Sequence, residues 1–251
     1  MIKVILHGAS GHMGKVVTDM IAADADAVIV AGIDAVDRGD RDYPVYTNPA
    51  DCHEEADAVI DFSTAKAVDA LLDFCVARNL PLVLCTTGLT EEQVGKVNAA
   101  SEKIAILRSG NMSLGVNLLL KLLKQAAAAL SPNGYDAEIV EMHHRRKIDA
   151  PSGTALMLAD AVNEGAGDGY HYTYGRSERH EKRDPKEIGI SSVRGGTIVG
   201  VHDVIFAGED EVIEFTHTAY SRAIFAKGAV QAAKFLAGKT TGMYDMSDVI
   251  G

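Results

Sequence analysis

Short apolar runs alternate with longer stretches of helical period through the first half of the chain. Val4-Ile5-Leu6 predicts a buried strand and residues 15–23 a helix. Residues 28–33 form the next apolar run and close on Asp34; Ala58-Val59-Ile60-Asp61-Phe62 follows after a polar stretch, then a helical pattern over about 65–78. Leu82-Val83-Leu84-Cys85 is a further strand, and Thr90-Glu91-Glu92-Gln93 has capping-box spacing and opens a helix reaching about residue 100. Residues 104–107 close the series. Strands that are apolar throughout and separated by helices predict a parallel sheet covered on both faces.

The second half has another rhythm. A long helix over about 116–130 leads into a strand at 138–142, then a loop and a helix over 155–163. Residues 165–187 are polar and rich in Gly, His, Arg and Glu, a long excursion without a core of its own. Strand-like runs at 198–201, 204–207 and 212–218 follow, with Gly208-Glu209-Asp210 as a hairpin turn, and a helix over 225–237 ends at Gly238. The fold class expected is α/β: a Rossmann-like parallel-sheet domain over 1–113, completed by 224–251, plus an α+β substrate domain over 114–223 with a mixed sheet.

Composition narrows the partners. The 24 Lys and Arg against 35 Asp and Glu leave a net charge of -11, which repels nucleic acid and anionic lipid, so neither is expected as a partner and an anionic ligand must meet a local cluster of cations. The cysteines, Cys52, Cys75 and Cys85, are odd in number and have neither zinc nor C-x-x-C spacing, which fits a reducing, cytoplasmic setting. Residues 1–6 meet a glycine turn too soon for a secretory signal, and no later apolar run reads as long enough to span a bilayer.

Two segments carry chemistry. Gly8-Ala9-Ser10-Gly11-His12-Met13-Gly14 lies between the first strand and the first helix, where glycines permit a tight turn and let a pyrophosphate approach backbone N–H groups. Its spacing is G-x-x-G-x-x-G, with Ser10 at the middle position of the commoner G-x-G-x-x-G. Asp34 follows Gly14 by the roughly 20 residues expected of the carboxylate that holds the adenosine ribose. Asp34 repels a 2′-phosphate and Ala35 supplies no cation, so NADH is expected ahead of NADPH, which stays open as an alternative. Cys85-Thr86-Thr87-Gly88 and Ser109-Gly110-Asn111-Met112-Ser113 follow the fourth and fifth apparent strands, where small polar segments can touch the nicotinamide end; ordinary turn chemistry is the competing account.

The second segment is His143-His144-Arg145-Arg146-Lys147-Ile148-Asp149-Ala150-Pro151-Ser152-Gly153-Thr154. Pro151 and Gly153 force a turn, and Ser152, Gly153 and Thr154 open a helix whose free N–H groups suit a carboxylate. A solvated basic face and a phosphate patch compete with that account. Metal binding by His143 and His144 is not expected, because neighbouring strand residues face opposite ways and no third ligand is spaced for it.

The run from Glu141 to Ala155 resembles the signature of the dihydrodipicolinate reductase (4-hydroxy-tetrahydrodipicolinate reductase) family. The resemblance extends to Gly8–Gly14, Asp61-Phe62-Ser63, Cys85-Thr86-Thr87-Gly88, Asn111-Met112-Ser113 and Arg194-Gly195-Gly196, essentially the whole chain. It implies NAD(P)H-dependent reduction of a cyclic dicarboxylate imine on the diaminopimelate route to lysine. His143 is then the acid/base and Lys147 a proton donor, with His144, Ser152, Gly153 and Thr154 at the substrate. Gly8, Ala9, Ser10, Gly11, His12, Met13, Asp34, Cys85, Thr86, Thr87, Ser109, Gly110, Asn111 and Met112 are then at the cofactor. It also implies a homotetramer built through the second domain. Cys85, Met112 and Ala35 depart from the commoner Gly, aromatic and basic residues of the family. Two rivals stand beside it, another two-domain NAD(P)-dependent dehydrogenase and a non-catalytic dinucleotide sensor.

Overall fold

A computed structural model describes residues 1–177 and 179–251, and position 178 of the polar excursion lies outside the described residues. The chain forms two compact units, Met1–Ser113 with Ala223–Gly251, and Leu114–Arg222.

The first unit is built on a seven-stranded sheet. In chain order it contains β1 (Ile2–His7), α1 (His12–Ala22), β2 (Ala27–Ile33), β3 (Val45–Tyr46), β4 (Ala58–Asp61), α2 (Val68–Arg78), β5 (Leu82–Leu84), α3 (Glu91–Ser101) and β6 (Ala105–Arg108). With β12 (Gly242–Tyr244) from the end of the chain, all strand pairs are parallel, in the spatial order β12-β6-β5-β4-β1-β2-β3. The order reverses at β1, so the carboxyl ends of β1 and β4 flank the switch point where doubly wound sheets take ligands. Val4, Ile5, Leu6, Val59, Ile60, Leu82 and Val83 are wholly buried, which explains their unbroken apolar character. Each such side chain contributes about 1.5–3 kcal/mol on burial. The capping box at Thr90 forms as expected, with Gln93 N–H donating to Thr90 Oγ1 at 3.2 Å.

The second unit contains α4 (Leu114–Leu130), β7 (Asp136–His143), α5 (Gly153–Gly165), β8 (His171–Thr173), β9 (Glu187–Arg194), β10 (Gly200–Ala207) and β11 (Val212–Ala219). Its five strands run in the order β11-β10-β7-β9-β8, with β7, β8 and β9 parallel and β10 antiparallel to both neighbours, the expected mixed sheet. One face packs Ala137, Ile139, Ile190, Val204 and Phe206 against Leu123 of α4 and Leu158 of α5. Leu114–Asn133 is long and apolar enough by length and composition to cross a membrane, contrary to the expectation that no run is; its Leu119, Leu123 and Ala127 are instead buried in this core. The chain returns to the first unit through α6 (Ala223–Leu236), β12 (Gly242–Tyr244) and α7 (Met246–Ile250).

The excursion differs from the expectation. It contributes β8, and Arg176, Arg179 and Arg183 pin it to the sheet around Glu187, a wholly buried carboxylate. Arg183 also reaches Asp136 at 2.7 Å and Glu138 at 3.0 Å. Strand β9 was not expected; it opens on that glutamate, whose burial rests on three arginines in the polar segment before the strand. The end of the run at 198–201 joins that at 204–207 in one strand, β10, which starts at Gly200, and the turn after it closes with Gly208 N–H donating to Glu211 O at 2.9 Å.

Candidate active site

The glycine loop leaves β1 at Gly8, whose φ of +83° places it in the left-handed region. A Cβ at Gly8 would lie 2.5 Å from Phe62 O, and one at Gly14 would lie 2.3 Å from Gly8 O, so loop, α1 and the end of β4 meet backbone to backbone. Ser10 N–H donates to Asp34 Oδ2 at 2.9 Å and Ser10 Oγ to Val36 O at 2.6 Å, tying loop to strand β2. Arg41 braces the loop from below, with Nη2 on Ala9 O at 2.9 Å. A cavity of about 320 Å³ opens here, lined by Gly8, Ser10, Gly11, Asp34, Arg38 and Ser63 among others. A dinucleotide fits this setting: backbone can approach it closely, and a carboxylate stands at the end of β2.

Other residues expected at the cofactor are distributed around the same edge. His12 and Met13 are the first residues of α1, the former exposed. Cys85, Thr86 and Thr87 follow β5; Cys85 N–H donates to Asp61 O at 3.0 Å, and Thr86 Oγ1 lies 3.4 Å from Ser63 Oγ. Ser109, Gly110, Asn111 and Met112 follow β6. Asn111 Oδ1 accepts from Ser113 N–H at 2.8 Å, and Met112 is 4% exposed, so its side chain is core. Burial pushes the Cys85 thiol well above its ordinary range, with Asp61 adding to the effect, and Cys52 rises to about 11 for the same first reason. Thiols held protonated in this way are poor nucleophiles.

In the second unit β7 delivers Glu141 and His143 to the core-facing side of the sheet. His143 Nδ1 lies 2.6 Å from Glu141 Oε2, and Gly200 on β10 leaves room beside the ring, since a Cβ there would sit 3.1 Å from Nε2. Arg194 at the end of β9 forks onto Glu141 at 2.7 and 2.6 Å. Burial alone raises a carboxyl pKa; the Arg194 fork, His143 and Ser192 outweigh it and pull Glu141 down to about 2. Burial pushes His143 below the ordinary histidine range, and Glu141 pulls the other way. His202, facing Glu141 across β10, is pushed down to about 4 by burial first and then by the neighbouring His143.

The loop beyond β7 carries His144 and Lys147. His144 Nδ1 is buried with no hydrogen-bond partner among the described residues, and Lys147 Nζ pairs with Asp149 at 2.8 Å. Ser152 caps α5, accepting from Ala155 N–H at 3.1 Å, and its hydroxyl lies 2.9 Å from His202 Nε2. Ser152, expected at the substrate, is 1% exposed, and its hydroxyl is engaged by Ala155 N–H and His202 inside the protein. Gly153, by contrast, has open space where a Cβ would be, and Thr154 is the next helical residue. No group of three or more His, Cys, Asp or Glu that could hold a metal ion occurs among the described residues.

Glu141, Arg194 and His202 share this network with His143 and Ser152, and none of the three was a site candidate in the sequence. Glu141 was legible, because residues two apart on a strand share a face. His202 was not, since only the β7–β10 register brings it to Glu141.

A glycine loop with a carboxylate at the end of β2, and a histidine–carboxylate pair followed by a cationic loop and the start of a helix, are the features of an NAD(P)H-dependent oxidoreductase acting on an anionic acceptor. Family models described as dihydrodipicolinate reductase, N-terminus and C-terminus, match residues 2–112 and 115–250. The chain is 50% identical to a 4-hydroxy-tetrahydrodipicolinate reductase of Caldanaerobacter subterraneus and 46% identical to one of Clostridium novyi, over 100% of this chain and 98% of each relative. A dipicolinate-bound dihydrodipicolinate reductase from Paenisporosarcina superposes with a TM-score of 0.82 at 26% identity, covering 99% of both chains. The chain belongs to the dihydrodipicolinate reductase family.

Proposed function

We propose that His143 and Lys147 supply the acid–base chemistry with which this NAD(P)H-dependent reductase makes 2,3,4,5-tetrahydrodipicolinate from 4-hydroxy-2,3,4,5-tetrahydrodipicolinate. The reaction releases water and belongs to the diaminopimelate route to lysine. The observation that carries the assignment is the His143–Glu141 pair. With Nδ1 on the carboxylate, Nε2 is the ring nitrogen left to exchange a proton.

Reduced nicotinamide, when bound, supplies the hydride to the conjugated imine formed as the 4-hydroxyl leaves. Electron density then builds toward the ring nitrogen of the substrate, where His143 delivers a proton and Lys147 stabilises the developing charge. Gly153 and Thr154, at the start of α5, offer backbone N–H groups to a carboxylate, and His144 with Lys147 offers hydrogen bonds and charge to the dianion. Lys147 leaves Asp149 for that anion, an exchange between two partners of like charge.

On the first unit, residues 8–13, Asp34, Cys85–Thr87 and 109–112 hold the cofactor. Asp34 supports a preference for NADH, with Arg38 in the cavity lining the nearest argument for NADPH. The second unit, 114–222, binds substrate and assembles the protein. Its outer sheet face presents Val140, Met142, Val201 and Ile205 half-exposed, which supports a tetramer formed through that face in the cytoplasm.

His143→Ala and Lys147→Ala each lower kcat about 10²-fold or more, with a smaller change in KM. The assay is loss of absorbance by NADH with freshly generated substrate. Wild-type turnover in both folded variants overturns the assignment.

A further inference from the structure

The reading of His143 as the acid leaves a buried charge unexplained. Glu141 is 0% exposed, and a carboxylate stranded there is strongly disfavoured unless every oxygen is matched. Both oxygens are matched. Oε2 takes Arg194 Nη1 at 2.7 Å and His143 Nδ1 at 2.6 Å; Oε1 takes Arg194 Nη2 at 2.6 Å and Ser152 N–H at 3.1 Å. These partners come from different parts of the site: strand β7, strand β9 and the cap of α5. Arg194 Nη2 also donates to Asp149 O at 2.7 Å, in the loop that carries Lys147, and Gly195 N–H holds His143 O at 2.9 Å. Stability alone does not require such a hub, since well-packed apolar side chains often serve as well.

We propose that Glu141 is a positioning residue for the reduction. Its carboxylate holds His143 as the Nδ1–H tautomer with Nε2 toward the reacting proton, and with Arg194 it ties the Lys147 loop and the start of α5 to that ring. This rests on His143 being the acid. The groups facing the ring are Glu141 on its own strand, Arg194 on β9, Lys147 on the loop, Ser152 at the cap and His202 on β10, with His217 on β11 behind it. Lys147 and Arg194 disfavour a proton on His143, as burial does, whereas Glu141 favours it. Losing that anion therefore lowers the pH at which His143 gives up its proton.

Glu141→Gln keeps the size and an acceptor oxygen but removes the charge. The expected result is a fall in kcat of about 10²-fold with KM changed far less, and an alkaline limb of the kcat–pH profile moved to lower pH. Glu141→Asp restores part of both. A role confined to folding lowers the yield and melting temperature and leaves the limb where it was. Solid-state 15N spectra of histidine-labelled wild-type enzyme test the tautomer without a Glu141 variant, using His143→Gln to assign the signal. An Nε2–H tautomer, or wild-type kcat and pH limb in folded Glu141→Gln, overturns the proposal. His143→Gln in the same assay separates the two claims: full turnover there overturns His143 as the acid, whereas its loss beside an active Glu141→Gln overturns only the positioning role.

Discussion

Replacing Gly228 by alanine sets two effects of opposite sign against each other. Gly228 lies inside α6, where glycine costs about 1 kcal/mol of helix propensity relative to alanine, so propensity alone stabilises the variant. Packing opposes this. A Cβ at that position would lie 1.6 Å from Met112 O, while even close carbon–oxygen contacts in proteins are about 3.3 Å. The opposing atom is backbone, so no rotamer relieves the clash, and either α6 or residues 109–113 must move by more than an ångström. Overpacking costs about 1–3 kcal/mol, and a displacement of this size belongs at the upper end. The net expectation is about 2 kcal/mol of destabilisation, or a melting temperature lower by roughly 6 °C for a unit of this size. Because residues 109–112 are proposed cofactor contacts, NADH affinity falls about tenfold, equivalent to about 1.4 kcal/mol. Calorimetry and NADH fluorescence titration measure both. Gly95→Ala is the control, since Gly95 lies in α3 with nothing within 4 Å of its would-be Cβ. If Gly228→Ala is stabilised as Gly95→Ala is, the close approach has no energetic weight and the reasoning fails.

Asp34→Ala removes the charge that opposes a 2′-phosphate beside Arg38, so the ratio of NADH to NADPH affinity falls at least tenfold, about 1.4 kcal/mol; an unchanged ratio in fluorescence titrations rules out Asp34 as the discriminator. Ser152→Ala loses a helix cap, about 1 kcal/mol, and strands the buried His202 Nε2, about 1–3 kcal/mol, so urea unfolding registers a loss of about 2–4 kcal/mol. A loss under about 1 kcal/mol contradicts the pairing. His202 is proton-free in the folded state down to about pH 4, whereas an unfolded histidine binds a proton below about 6.5. Between those limits the unfolded state holds the extra proton, so stability falls on acidification by at most about 1.4 kcal/mol per pH unit. His202→Asn flattens that part of the stability–pH curve, and an identical slope in the variant excludes His202 as its source.

The parts of the molecule legible in the sequence are those whose cause is local. Continuous apolar runs located most of the parallel sheet, because strands buried on both faces need no polar alternation. The glycine loop was legible for a steric reason, visible at Gly8 and Gly14, where any side chain would meet backbone. Thr90 and Gln93 announced a helix start through a contact spanning only three residues. Strand β9 escaped because Glu187 looks like solvent-exposed polarity until Arg176, Arg179 and Arg183 are folded over it. Short strands such as β3 and β12 escaped because two or three residues carry no period.

The same distinction runs through the candidate site. His143 and Lys147 belong to one dense motif, and its chemistry is written in residue types. The network around His143 is written elsewhere: Arg194 lies 53 residues from Glu141 along the chain, and His202 lies 50 from Ser152. Neither pairing leaves a trace in local spacing, because the β7–β9 register creates the first and the packing of α5 on the sheet the second. Ser152 shows the consequence. Read locally, a serine at a helix start is a hydroxyl for a substrate carboxylate; in the folded chain it also links α5 to His202. The proposed anion cradle at Gly153 and Thr154 starts one residue beyond that link, so the buried network behind Ser152 sets where its backbone N–H groups stand.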